Sequence, residues 1–128
     1  MLKQQFLYTS GAISLAAAIG AVGNGTIAIA ADYNYELDYI TIMVTQAGLI
    51  VLNWSGTIQI SWTGTGESIS NAAIPVDAFA GNGGLPYILP QPRELKANTS
   101  ATIVCGNPVA TATNVTVVFH GSKLLQEY

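Results

Sequence analysis

The sequence predicts an all-β fold, a single-domain antiparallel β-sandwich of about eight strands, and three observations predict it. Apolar and polar residues alternate with period two in several segments. Turn residues recur at spacings of roughly eight to twelve, as in sandwiches and barrels. No stretch sustains a capped helical period, and β-branched and aromatic residues fill the strand positions. The 128 residues suit one domain and leave little room for a second.

Taken in order, residues 1–32 imitate a secretory leader. Lys3 supplies a positive start, Ile13 to Val22 is apolar, and Ala28-Ile29-Ala30 resembles a cleavage site. Gly11, Gly20 and the Gly23-Asn24-Gly25 triplet interrupt the run, which therefore does not read as a membrane span. It reads instead as two short strands about a turn at Asn24-Gly25, a strong hairpin signal. Ahead of them, Leu2, Phe6, Leu7 and Tyr8 suggest an N-terminal arm, residues 1–10, ordered against a neighbouring subunit, with the sandwich over 11–128. The competing reading is an edge strand folded onto its own domain.

Tyr33, Tyr35, Leu37 and Tyr39 alternate with Asn34, Glu36 and Asp38, marking a half-buried strand that runs into the apolar Ile40–Val44. After Gln46-Ala47-Gly48 comes the apolar run Leu49 to Trp54, and after Ser55-Gly56 a strand with Ile58, Ile60 and Trp62 on one face. Val115, Val117 and Phe119 alternate again, in a strand stopped at Gly121. Residues 78–92 differ, because Pro86, Pro90 and Pro92 lie among Phe79, Leu85, Tyr87, Ile88 and Leu89. Proline cannot donate to a ladder, so this segment is a long loop or a sheet edge, and its apolar residues need a cover.

Composition excludes more than it suggests. Half of the residues are hydrophobic and 9% are charged, against about 25% in an ordinary soluble domain. Four scattered basic residues make no phosphate-binding footprint, which excludes nucleic acid. One cysteine and one histidine leave no disulfide, no Cys cluster for zinc and no multi-histidine metal site. No catalytic residue, metal or cofactor is expected. His120 should point away from the core with no nucleophile or orienting acid beside it, and Cys105 should be a small buried hydrophobe. Asp32, Glu36 and Asp38 share strand parity and read as a solvated face, not a calcium loop. Four Asn-x-Ser/Thr patterns, at Asn24, Asn53, Asn98 and Asn114, are ordinary chance matches in a chain rich in these residues. Tyr33, Tyr35, Tyr39, Trp54 and Trp62 could form a sugar-binding platform if exposed.

From about residue 8 to residue 125 the order of features resembles a known family. It runs Asp32-Tyr-Asn-Tyr35-Glu-Leu-Asp-Tyr39, Ser70-Asn71-Ala-Ala-Ile74-Pro75, Phe79-Ala-Gly81 and Pro90-x-Pro92. It continues with Leu95-Lys-Ala-Asn98-Thr-Ser-Ala-Thr-Ile103-Val104 and Val117-Val-Phe119-His-Gly121-Ser-Lys123-Leu124. This is similar to the short cement or decoration proteins of tailed bacteriophages, which sit on the outside of the capsid. The resemblance implies a jelly-roll sandwich, no catalysis, and a homo-oligomer on the outer capsid surface that bridges neighbouring copies of the major capsid protein. No membrane or nucleic-acid partner is implied. The interface expected on this reading comprises Leu2, Phe6, Leu7 and Tyr8 of the arm with Phe79, Leu85, Tyr87, Ile88 and Leu89 of the Pro-rich segment. The competing function is a carbohydrate-binding module of an adsorption appendage or a lectin, which requires Trp54 or Trp62 exposed beside amides such as Asn53 and Gln59. A fimbrial subunit would follow if the leader were real.

Overall fold

A computed structural model describes residues 2–51, 54–63, 68, 70, 72–76 and 86–125. Among them nine strands appear: β1 Leu2–Leu15, β2 Val22–Ala28, β3 Asn34–Gln46, β4 Leu49–Ile50, β5 Thr57–Trp62, β6 Ile74–Pro75, β7 Tyr87–Leu95, β8 Ser100–Gly106 and β9 Thr113–Leu125. Setting aside the two-residue β4, they pair as four successive antiparallel rungs. β1 meets β9, β2 meets β8, β3 meets β7, and β5 meets β6. This long folded ladder is then wrapped so that β9 also meets β3 and β8 also meets β5. The result is two sheets, β1-β9-β3-β7 and β2-β8-β5-β6, with β4 added beside the end of β3. A wrapped antiparallel ladder of this order is a jelly-roll sandwich, so the predicted fold class holds.

The core lies between the sheets and follows the predicted alternation. Val115, Val117 and Phe119 of β9 face Ile58, Ile60 and Trp62 of β5 and Ala101, Ile103 and Cys105 of β8. β9 keeps a single phase, odd residues inward, from Thr113 to Gly121. Its two neighbours each change phase through a β-bulge. In β1, Ser10 and Gly11 together oppose Val117, and Ser10 Oγ accepts the Val117 N–H at 3.1 Å, replacing a lost ladder bond. In β3 the extra residue is Asp38, between the Leu37–Gly121 and Tyr39–His120 pairs. Tyr35 and Leu37 are therefore buried, but beyond the bulge Ile40, Ile42 and Val44 turn inward and Tyr39 turns out. At this point β3 presses so closely on β9 that a Cβ on Gly121 would overlap the Glu36 carbonyl. Gly121 thus marks a close strand approach inside β9, and the strand continues to Leu125 instead of stopping there.

Two further expectations are corrected, and the Pro-rich segment resolves to one of its two readings. Asn24-Gly25 is not a hairpin turn but the middle of β2, paired with Val104 and Ile103. The glycines serve packing: a Cβ on Gly25 would lie 2.6 Å from Ile13 Cδ1, and one on Gly23 2.5 Å from Leu15 Cδ2. The chain turns earlier, over 16–21. The N-terminal arm is the first part of β1, paired with β9 from Leu2–Leu125 onward, so a boundary at residue 10 would fall inside one strand. Tyr8 holds it there, packed edge-on against Phe6 on one side and the fully buried Tyr35 on the other, centroids 4.8 Å apart in each of the two pairs. Tyr35 Oη lies 2.5 Å from the Phe6 carbonyl and 3.1 Å from that of Phe119, so its proton ties three strands together. The Pro-rich segment, over its described part, is the edge strand β7. Pro90 and Pro92 sit where its pairing with β3 is interrupted, between the Leu37–Arg93 and Tyr39–Ile88 pairs. The apolar run after Gly48 yields only the short β4 among its described residues.

Candidate interaction surface

The outward residues of the first sheet form cross-strand rows, since paired residues of antiparallel strands point to the same face. One row spans four strands: Leu7 of β1, His120 of β9, Tyr39 of β3 and Ile88 of β7. Leu7 and Ile88 are exposed at its two margins. In the middle, the His120 and Tyr39 rings stack with centroids 4.3 Å apart, and His120 Nε2 lies 2.9 Å from Thr41 Oγ1. The next rows toward the far end of the sheet are Thr9, Val118 and Thr41, then Ala12, Thr116 and Met43, then Ser14, Asn114, Thr45 and Ile50. None of these residues is charged.

The charges lie elsewhere. Lys3, Asp32, Glu36, Asp38, Arg93, Glu94, Lys96 and Lys123 are the charged residues among those described, and all sit where β1 and β3 begin and β7 and β9 end. Six of them form ion pairs: Lys3 Nζ lies 3.0 Å from Glu36, Lys123 Nζ 3.2 Å from Asp32, and Lys96 Nζ 3.6 Å from Glu94. The hydrogen bond from Lys123 holds the Asp32 carboxyl below its ordinary pKa. The acids at 32 and 36 are thus lysine partners on a solvated surface, and among the described residues no group of three or more potential metal ligands converges. A shallow depression of about 280 Å³ at this end is lined by Asp32, Asn34 and Glu94. Its amide is already engaged, Asn34 donating to Glu94 Oε1 at 3.1 Å and accepting the Ala97 N–H at 2.8 Å.

The predicted interface residues divide. Leu2, Leu7 and Ile88 are exposed, and Leu7 and Ile88 share the row described above. Phe6, Tyr8, Tyr87 and Leu89 pack against the core. Phe79 and Leu85 lie outside the described residues. The aromatic platform is not assembled: Trp54, Trp62 and Tyr35 are buried, Arg93 covers the Trp62 ring at 4.2 Å, and Tyr39 is stacked on His120. Cys105 is fully buried, and burial pushes its thiol up to about 12. His120 points away from the core as expected, and desolvation lowers its pKa. The Thr41 hydroxyl beside it escaped sequence reasoning, because the bulge at Asp38 sets which β3 residue meets His120.

No protein-family model matches the chain, and no curated protein sequence matches it. A comparison with solved structures finds the cryo-EM atomic structure of broad bean stain virus. It is 11% identical, with a TM-score of 0.27, over 100% of this chain and 94% of that one. A likeness that weak carries no argument, and the jelly-roll assignment rests on the strand order. None of these comparisons singles out the tailed-phage cement family.

Proposed function

We propose that this chain is a virion structural protein, a cement or decoration protein that binds the outer capsid shell and bridges neighbouring subunits. The observation that carries the reading is the part of the first sheet's outer face beyond its charged end, where the rows from Leu7–Ile88 to Ser14–Ile50 hold no charged residue and Leu7 and Ile88 are exposed at either margin of the first of them. A surface of uncharged hydroxyl and aliphatic side chains costs little to desolvate against another protein, and permanent interfaces are depleted of charge in the same way. The low overall charge supports the reading, since much of this surface would be covered on the shell. Contacts of modest strength would add through repetition over the lattice. Copies of the same chain on adjacent sites complete the bridging. The burial of both tryptophans removes the main support for a sugar-binding module.

The test is attachment to purified shells assembled without this chain. Wild-type protein should sediment with the shells saturably and raise the temperature at which they open. Leu7→Asp with Ile88→Asp, both at exposed positions, should fold normally and attach at least about tenfold more weakly, because a charge would be buried without a partner. Attachment of the double variant at wild-type strength would rule out this face.

A further inference from the structure

The single histidine of the chain lies on the face proposed to meet the shell. His120 of β9 sits between Leu7 of β1 and Tyr39 of β3, with Ile88 of β7 beyond Tyr39. Its ring lies flat on the Tyr39 ring, centroids 4.3 Å apart at an interplanar angle of 11°. Nε2 meets the Thr41 hydroxyl at 2.9 Å. The ring is thus half-buried and held in place by β3, and among the described residues neither of its nitrogens pairs with a carboxylate.

The groups that face it from each strand are few. β1 presents Leu7, flanked on the same face by Gln5 and Thr9, and its Lys3 is held by Glu36 at 3.0 Å. β3 presents the Tyr39 phenol and the Thr41 hydroxyl, with Asp38 at the bulge and Glu36 in the next row toward the charged end. β7 presents Ile88; its Glu94 lies in that charged row, 3.6 Å from Lys96, and its Tyr87 and Arg93 pair with the buried Ile40 and Leu37. Within β9, Val118 and Ser122 flank His120, and Lys123 is 3.2 Å from Asp32. Desolvation already lowers the His120 pKa in the free chain.

A neutral imidazole suits a dry contact, with one nitrogen bonded to Thr41 and the ring covering Tyr39. The cation does not. A shell surface laid over this row would strip the water from a charge that no described carboxylate balances, and an unpaired buried charge is costly. Stacking on Tyr39 favours the cation, but equally before and after attachment, so the difference remains.

On the cement reading, on which this step rests, we infer that His120 is a proton switch of the attachment face: the chain binds the shell with a neutral imidazole and is released by its protonation. The sign follows from linkage. Attachment weakens the hold of His120 on its proton, so binding is at full strength above the pKa of the free chain and falls below it by up to about tenfold per pH unit. Because that pKa lies below 6.5, the chain stays attached at neutral pH.

The experiment measures attachment of the full chain to shells assembled without it, at pH 7.5 and pH 5.0, for wild type and His120→Gln. Each chain is read as the ratio of its two affinities, which removes any effect of the substitution on attachment itself. On acidification wild type should lose at least about threefold more affinity than His120→Gln. Calorimetry of wild-type attachment at pH 5.5, in two buffers of different ionisation enthalpy, should record proton release, a readout that stands even if the variant misfolds. Equal losses for the two chains, or attachment without proton release, would overturn the switch and leave the cement reading standing. Stronger attachment in acid would overturn it by placing a shell carboxylate opposite His120. Failure of wild type to attach at pH 7.5 would overturn the cement reading and the switch with it.

Discussion

Gly121 carries more structural information than its strand position suggests. It lies opposite Leu37 beside the β3 bulge, where the Glu36 carbonyl leaves no room for a Cβ. Gly121→Ala should cost about 3 kcal/mol, the scale of overpacking a site with rigid neighbours, and the loss would appear as a lower denaturation midpoint at unchanged m-value. A cost below about 0.5 kcal/mol would mean that β3 yields easily. Cys105 offers a cleaner chemical reading: with its thiol pushed up to about 12, it should stay unlabelled by a thiol reagent in the native protein at pH 8 and react on unfolding. His120 sets a sign for pH dependence. Desolvation lowers its folded pKa below the 6.5 of the unfolded chain, so its protonation favours the unfolded state. Its contribution is fully present above pH 6.5 and is lost as pH falls through the folded value. His120→Gln should flatten the fall in stability over that acid window, as followed by melting temperature.

At the scale of elements, the sequence showed where alternation was unbroken and hid where it changed phase. β5 and the core half of β9 were legible because Ile58, Ile60, Trp62, Val115, Val117 and Phe119 keep one parity. β3 read as an alternating strand merging into a continuous apolar run, and the bulge at Asp38 explains both parts. Asn24-Gly25 misled because a hairpin signal and a close-packing signal use the same glycine. In β2 the Ile13 and Leu15 side chains of the other sheet decide between them, and no local pattern reports them. The N-terminal residues read as an arm for a related reason, since the hold exerted by Tyr35 comes from about thirty residues away. Deleting residues 2–8 should therefore reduce soluble folded protein, because it uncovers Tyr35 beside Phe119, where a true arm would be dispensable. Asn107→Ala would remove three part-buried hydrogen bonds of a buried side chain, two to the Ala16 and Thr111 carbonyls and one from the Val109 amide. A loss of about 2–4 kcal/mol is expected, together with faster amide exchange over 16–21 and 108–112.

Across the whole molecule, polarity is the organising feature. The jelly roll keeps its described charges at one end and its exposed aliphatic residues mainly at the other, with an uncharged sheet face between them. Composition revealed the scarcity of charge but not its placement, which depends on which strand ends the topology brings together. The aliphatic end also escaped sequence reading, because Ile19, Leu49 and Val109 are far apart in the chain and come to one end only through β9. Attachment through uncharged surfaces should depend little on ionic strength, changing less than about threefold in affinity between 50 mM and 500 mM salt. A steep loss of binding with salt would instead place the charged end against the shell.

Strengthening of a capsid shell, the role proposed for this chain, is read from the temperature at which purified shells release their contents, with and without saturating protein. Saturable attachment is expected, with an upward shift that the Leu7→Asp, Ile88→Asp variant fails to produce. Shells that open at the same temperature while the protein stays unbound in the supernatant would contradict it.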